Sequence, residues 1–297
     1  MSDFTPQTRN SAWWSGDSRR AASGKAGEVI LTKLGKMDIP DLSHIEAVQM
    51  GHVMEPVIGR LAQDKLGIEL TKIEESLTHK KESWLRSHFD FVGVENGKTV
   101  LVECKNYNAA VRSSFDTAGI APAADVAQII HEAAVYGVDK IYLAVLFGGQ
   151  EFVLIPFHIA DEQKETLIKE MATYWGHVQA GTPLPPESPE QARLIYPQHT
   201  ETVKTASQAV ELACNNLALV KSQIKQLEAQ EEALQTLITG YMQDAATLST
   251  IDGKVLATWK TAKTSEKFDA KLFQSSMPDI YQKFMVNVPG SRRFLIK

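Results

Sequence analysis

The sequence predicts a mixed α/β domain followed by a long helical arm. Three observations carry this expectation. Between residues 84 and 157, short runs rich in β-branched and aromatic residues sit on either side of a helical segment. Residues 181–200, GTPLPPESPEQARLIYPQHT, carry five prolines and read as a linker or extended arm. Beyond them, apolar positions step by three and four from Val203 to Tyr241, the spacing of a heptad seam.

Taken in order, the chain opens on SRRAASGKAGEV, where Arg20, Ser23 and Lys25 lie beside glycines. Such a segment can hold a phosphate through side chains and backbone N–H groups, or it can be a flexible basic start. GHVMEPVIGRLAQDKLG reads as a helix with an apolar face of Val57, Ile58, Leu61, Ala62 and Leu66, stopped by Gly67. Proline is tolerated in a first turn, so Pro56 places the expected start near Val53–Glu55. WLRSHFDFVGV is β-rich, ENGK is a turn, and TVLVECK completes a hairpin. AADVAQIIHEAAVYG is a helix ended by Gly137, and KIYLAVLF and EFVLIPF flank a GGQ turn as a second hairpin. Residues 1–180 therefore read as one core, 181–200 as the linker, 201–246 as a long helix or coiled-coil arm, and 247–297 as a small basic segment. At about 1.5 Å per residue the stretch 201–242 would be roughly 60 Å long. Only Glu231 breaks its register. A helix packed on its own domain is the alternative.

Composition narrows the classes. The chain has 297 residues, 43% hydrophobic and 23% charged, as soluble globular proteins have. Its two cysteines, Cys104 and Cys214, cannot build a four-cysteine zinc or iron–sulfur site, and they point to a reducing compartment. No apolar run reaches the ~18 residues of a membrane span, and the N-terminus lacks the apolar core of a secretory signal. The net charge of −5 is unevenly spread: residues 1–36 carry +3, 37–250 carry −13, and 251–297 carry +5. Basic ends can meet phosphate and an acidic body can hold metals, though ordinary surface charge gives the same tally.

The chemistry lies in HFDFVGVENGKTVLVECKNY. Strand side chains alternate, so Glu103 and Lys105 share one face while Cys104 points to the other and offers its carbonyl. The turn brings Asp90 towards Glu103. Two carboxylates and an ammonium then meet where apolar residues were expected, and such carboxylates repel unless a cation sits between them. Mg²⁺ suits hard oxygen ligands, with Mn²⁺ as a substitute, and two ions can clamp an in-line phosphodiester displacement. Edge-strand charges on a surface hairpin are the alternative.

The pattern Asp90…Glu103-x-Lys105 resembles the signature of the PD-(D/E)xK nuclease superfamily. The order W…RR…GKAGEV, MGHVMEP, FDFVGV, VECK and AQIIHEAAVYGVDKIYLAVL, over residues 11–160, resembles the YqaJ-type viral recombinases, a family that includes the lambda-type exonucleases. The resemblance implies a PD-(D/E)xK core, a central mixed sheet flanked by helices. It also implies a Mg²⁺-dependent exodeoxyribonuclease that resects the 5′ strand of linear duplex DNA. Asp90, Glu103 and the Cys104 carbonyl would hold one ion, and Asp90 with Glu55 a second. Lys105 would position the water and Gln128 would support Lys105 or that water. Arg20, with Ser23 or Lys25, would grip the 5′-phosphate; Gly27 stands where the family has a serine. Arg112 is a candidate DNA-phosphate contact. A single-strand annealing protein, a homo-oligomer such as a trimeric ring, and the cytoplasm of a bacterial host follow from the same resemblance.

Other residues read more plainly. His52, His79, His88 and His131 form no metal-ligand spacing, and Trp13–Trp14 suit core packing better than stacking on DNA ends. Two rivals stand beside the exonuclease: a site-specific endonuclease of the same superfamily, and a non-catalytic DNA-binding or assembly protein built on the coiled coil.

Overall fold

The computed structural model describes residues 6–39, 41–288 and 290–296. It divides into two compact units, Met1–Pro197 and Gln198–Lys297. In the first unit, α1 (Ser15–Arg20) runs through a π-helical turn, Ala21–Lys25, into α2 (Ala26–Lys33). Trp13 and Trp14, both buried, form a short strand beside Leu85–Ser87, which pairs in turn with Leu77–Thr78. Helix α3 (Glu46–Leu66) leads into a five-stranded sheet: β1 (Leu70–Lys72), β2 (Phe91–Glu95), β3 (Lys98–Tyr107), β4 (Lys140–Phe147) and β5 (Glu151–His158). The strands lie in sequence order. All neighbours are antiparallel except β3 and β4, which run parallel across the helix α4 (Ala123–Tyr136). Helices α5 (Asp161–Gln179) and α6 (Pro189–Ile195) complete the unit. This is the expected architecture, a central mixed sheet flanked by helices.

Alternation along β3 divides the core in two. Leu101 packs with Ile141, Leu143, Val145 and the inner face of α4. Val100 and Val102 pack with Tyr142, Ala144 and α3 on the opposite face. Helix α3 comes very close to the sheet: a Cβ at Gly59 would lie 2.5 Å from the Phe91 ring. The hairpin between β2 and β3 closes through Asn96 (φ 51°) and Gly97 (φ 77°), the left-handed pair that a two-residue turn needs.

Three sequence expectations need correction. Helix α3 begins at Glu46, so Pro56 sits in its interior. Proline has no N–H, and the carbonyl of His52 one turn earlier therefore lacks its helical donor. The buried face of α3 is Ile58, Gly59 and Ala62; Val57 and Leu61 are exposed. Residues 181–200 are not wholly extended, since α6 forms within them, capped by Ser188, and its Gln191 is buried.

In the second unit, α7 (Gln208–Met242) is capped by the Ser207 hydroxyl and starts later than residue 201. A hairpin of β6 (Thr247–Ser249) and β7 (Val255–Thr258) follows, then α8 (Ala270–Ser276) and α9 (Pro278–Lys283). Among the described residues, no helix is long and apolar enough to cross a membrane.

Candidate active site

The site is built on β3 where it leaves the hairpin. Asp90 lies one residue before β2, and its Oδ2 accepts the backbone N–H of Cys104 at 2.7 Å. That bond fixes the carboxylate beside β3. Glu103 and Lys105 project from the α4 side of the strand, and Lys105 Nζ donates to Glu103 Oε1 at 2.7 Å and to Gln128 Oε1 at 3.0 Å. Gln128 Nε2 donates to Glu103 Oε1 at 2.6 Å and to Glu132 Oε1 at 2.8 Å. One amide thus orients the lysine, its carboxylate partner and a further buried carboxyl. Asp90, Glu103, Cys104 and Lys105 line a cavity of about 270 Å³ together with Glu55, His52 and Tyr107.

The electrostatics follow from burial. Desolvation pushes the Asp90 carboxyl well above the usual carboxylate range, and the nearby charges of Glu103 and Glu55 push the same way against the Cys104 N–H. Burial likewise raises Glu132, and Glu103 adds to it. Burial, the largest single effect, would lower Lys105, but Glu103, Tyr107 and Glu132 together outweigh it and the ammonium stays charged. Burial and the same carboxylates drive the Cys104 thiol upward, so it is no nucleophile.

Among the described residues, no group of three or more His, Cys, Asp or Glu side chains is drawn together tightly enough to hold a metal ion as it stands. The expected ligand set lines one cavity without converging, because Glu55 turns to Lys72 at 3.1 Å while Glu103 turns to Lys105. The donor chemistry nevertheless fits a hard divalent cation. Glu103 is buried, Asp90 is half-buried, the two repel, and none of the bonds above uses Asp90 Oδ1 or Glu103 Oε2.

The N-terminal candidates are placed less simply. Arg20 pairs with Glu28 at 3.0 Å, the Ser23 hydroxyl donates to the Arg19 carbonyl, and Lys25 is exposed. Gly27 is buried near Gln191 of α6. Arg112 lies outside the cavity, where it pairs with Asp116 and with Glu151 at 3.0 Å. A DNA phosphate there would have to displace these carboxylates, as it would displace Glu28 from Arg20. His131 is fully buried in a structural network described below, and Trp13 and Trp14 are core residues.

Sequence reasoning missed four residues. Tyr107 lines the cavity; its hydroxyl donates to Asp125 Oδ1 at 2.8 Å and accepts from Arg19 at 2.9 Å. Burial and Asp125 push that phenol up to about 12. Arg19 also binds Asp125 at 2.9 Å, tying α1 to α4 behind the site. Glu132 anchors Gln128. The signals were present: Tyr107 is two residues past Lys105 on one strand face, and Glu132 is four past Gln128 on one helix face.

Residues 20–139 match the YqaJ-like viral recombinase domain. That stretch, 120 of the 297 residues, is similar to the family. The matched stretch runs from Arg20 to the threshold of β4 and contains Glu55, Asp90, Glu103, Cys104, Lys105 and Gln128. Similarity continues beyond it: an uncharacterized protein YqaJ of Bacillus subtilis (strain 168) is 26% identical over 278 residues, covering 91% of this chain and 85% of the relative. Among solved structures, an alkaline exonuclease from Laribacter hongkongensis is 14% identical with a TM-score of 0.48, covering 59% of this chain and 91% of that one. A phage-related exonuclease from Haemophilus somnus is 10% identical with a TM-score of 0.41, covering 54% and 81%.

Proposed function

We propose that the YqaJ-like domain is a metal-dependent exodeoxyribonuclease acting on the ends of linear duplex DNA. On this reading it resects the 5′ strand and leaves a 3′ single-stranded tail, the material on which a single-strand annealing protein would act. The observation that carries the proposal is that Asp90, Glu103 and Lys105 line one cavity, with Lys105 bonded to both Glu103 and Gln128. The similarity of residues 20–139 to the YqaJ-like viral recombinase domain supports it.

The chain's own groups divide the work. Asp90, Glu103, Glu55 and the Cys104 carbonyl are the groups that would hold Mg²⁺, or Mn²⁺ in its place, with two ions the expected number. Bound there, such ions would neutralise developing charge on the phosphodiester oxygens and make water more acidic. Lys105, held charged and aimed by Gln128, orients the attacking water and stabilises the negative charge of the displacement. Gln128, braced by Glu132, keeps Lys105 from collapsing fully onto Glu103. Arg20 would exchange Glu28 for a terminal 5′-phosphate, with Ser23 or Lys25 beside it. Arg112 would likewise exchange Asp116 and Glu151 for a DNA phosphate.

Incubating linear and covalently closed circular duplexes with the protein, with Mg²⁺ and with chelator, tests the proposal. Mg²⁺-dependent loss of the linear DNA with the circle intact is expected. A cut circle would replace the exonuclease with an endonuclease. Both substrates intact under every condition would leave a DNA-binding or assembly role.

A further inference from the structure

Helix α7 presents an apolar seam that its own unit leaves open. Val210, Ile224, Leu227, Leu234 and Tyr241 are exposed, and Met242 is the one buried residue among those described in the helix. The seam keeps heptad spacing, with Val210, Leu217, Ile224, Glu231 and Ile238 at one core position and Ala213, Val220, Leu227, Leu234 and Tyr241 at the other. A run of exposed apolar side chains on a solvated helix marks a surface that another chain covers.

The charges select the occupant and its direction. We propose that α7 pairs with α7 of a second copy of this chain as an antiparallel coiled coil. In the register that aligns the two helices end to end, Ile224 faces Leu227 of the partner subunit and Leu217 faces Leu234 of the partner subunit. Ala213 then meets Ile238 of the partner subunit, and Val210 meets Tyr241 of the partner subunit, small against large. These four layers are apolar on both sides, and the fifth sets Val220 against Glu231 of the partner subunit, a single carboxylate per layer. Lys221 lies beside the seam across from Glu228 of the partner subunit and next to Glu231 of the partner subunit. The two-fold axis repeats these contacts. A parallel pair in register would instead press Glu231 against Glu231 of the partner subunit inside the seam, two carboxylates desolvated with no cation. The helix has 35 residues, so the antiparallel pair would be about 52 Å long at the usual rise.

Disulfide trapping in the full-length chain tests both the occupant and the direction. In a Cys214→Ser background, Leu217→Cys and Leu234→Cys are made separately and oxidised, alone and after mixing. The expected result is a covalent dimer from the mixture and monomer bands from each variant alone. Cross-linking of each variant alone would mean a parallel pair and overturn the proposal. Light scattering supplies a second measurement: Ile224→Asp combined with Leu227→Asp should halve the mass of any even-numbered assembly. A wild-type monomer, or a mass that these changes do not move, would also overturn it and give the seam to a different protein. Neither readout involves DNA, so the nuclease proposal can fail while this one stands, and the reverse.

Discussion

Gln128 is the residue on which most of the site's order depends. Its amide touches Lys105, Glu103 and Glu132 at once. Without it, Lys105 would keep its ion pair with Glu103 but lose the bond that limits its direction. Gln128→Ala is therefore expected to lower activity or metal affinity by about 10–100-fold, the usual cost of losing a supporting partner, with little change in the urea midpoint. Steady-state rates and Mg²⁺ titrations check this. His131 makes a different prediction. Its Nε2 meets the Arg86 carbonyl at 2.9 Å, an acceptor, so Nε2 carries the proton. Nδ1 then accepts from Ser18 Oγ at 2.8 Å, and Ser18 accepts from Trp13 Nε1 at 3.1 Å. Burial lowers the imidazole to about 4 from 6.5, against the pull of the Arg86 carbonyl. The unfolded chain takes up this proton first, so stability should fall as pH drops from 6.5 to about 4 and then level off. The loss is about 3 kcal/mol at one unit per 1.36 kcal/mol. Urea unfolding across that range should show the slope in wild type and a shallower one in His131→Gln.

At the scale of elements, the sheet was legible and the helix ends were not. The turn residues Asn96 and Gly97, the alternation of Glu103 and Lys105 about Cys104, and the stop at Gly137 are local signals, and each stands where the sequence places it. Helix α3 was misjudged because propensity penalises Pro56, whereas packing of Ile58, Gly59 and Ala62 on the sheet holds the helix through it. The exposure of Val57 and Leu61 has the same origin: the sheet chooses the buried face, and the sequence alone offered a wider one. Gly59→Ala puts a methyl group into the Phe91 ring and should cost about 1–3 kcal/mol by overpacking. The link between α1 and α2 was invisible in the sequence because it joins residues far apart in character. Lys33 is buried and donates to Asp17 at 2.7 Å, to the Ala12 carbonyl at 2.6 Å and to the Arg9 carbonyl at 2.9 Å. Burial lowers its ammonium and Asp17 holds it up. Asp17→Ala leaves that charge unpaired and should destabilise the fold by about 3–5 kcal/mol, measured by urea unfolding.

At the scale of the whole molecule, the two units differ in how they are stabilised. Residues of the first unit build both hydrophobic clusters, whereas in the second Met242 is the one buried apolar residue among those described. A unit so poor in core gains stability from what covers it, which is why the open seam of α7 points to a second chain. The heptad spacing was readable from the sequence, whereas the helix bounds Gln208–Met242, on which the register of the proposed antiparallel pair rests, were not. The candidate site was legible to the extent that it follows one strand and one turn. Glu55 was placed in the cavity by a helix that starts earlier than expected, and Tyr107 and Glu132 emerged from the packing of β3 against α4.

The central claim is that Lys105 and the carboxylates around it hydrolyse DNA from its ends. Single-turnover release of label from linear duplex carrying it at either the 5′ or the 3′ terminus, with Mg²⁺, tests this most directly. Wild type should release the 5′ label first, and Lys105→Ala, assayed where urea unfolding shows it folded, should slow release by about 10²–10³-fold, as for removal of one charge-stabilising group. Equal release by Lys105→Ala and wild type would contradict the assignment of the site, and early release of the 3′ label would contradict the proposed polarity.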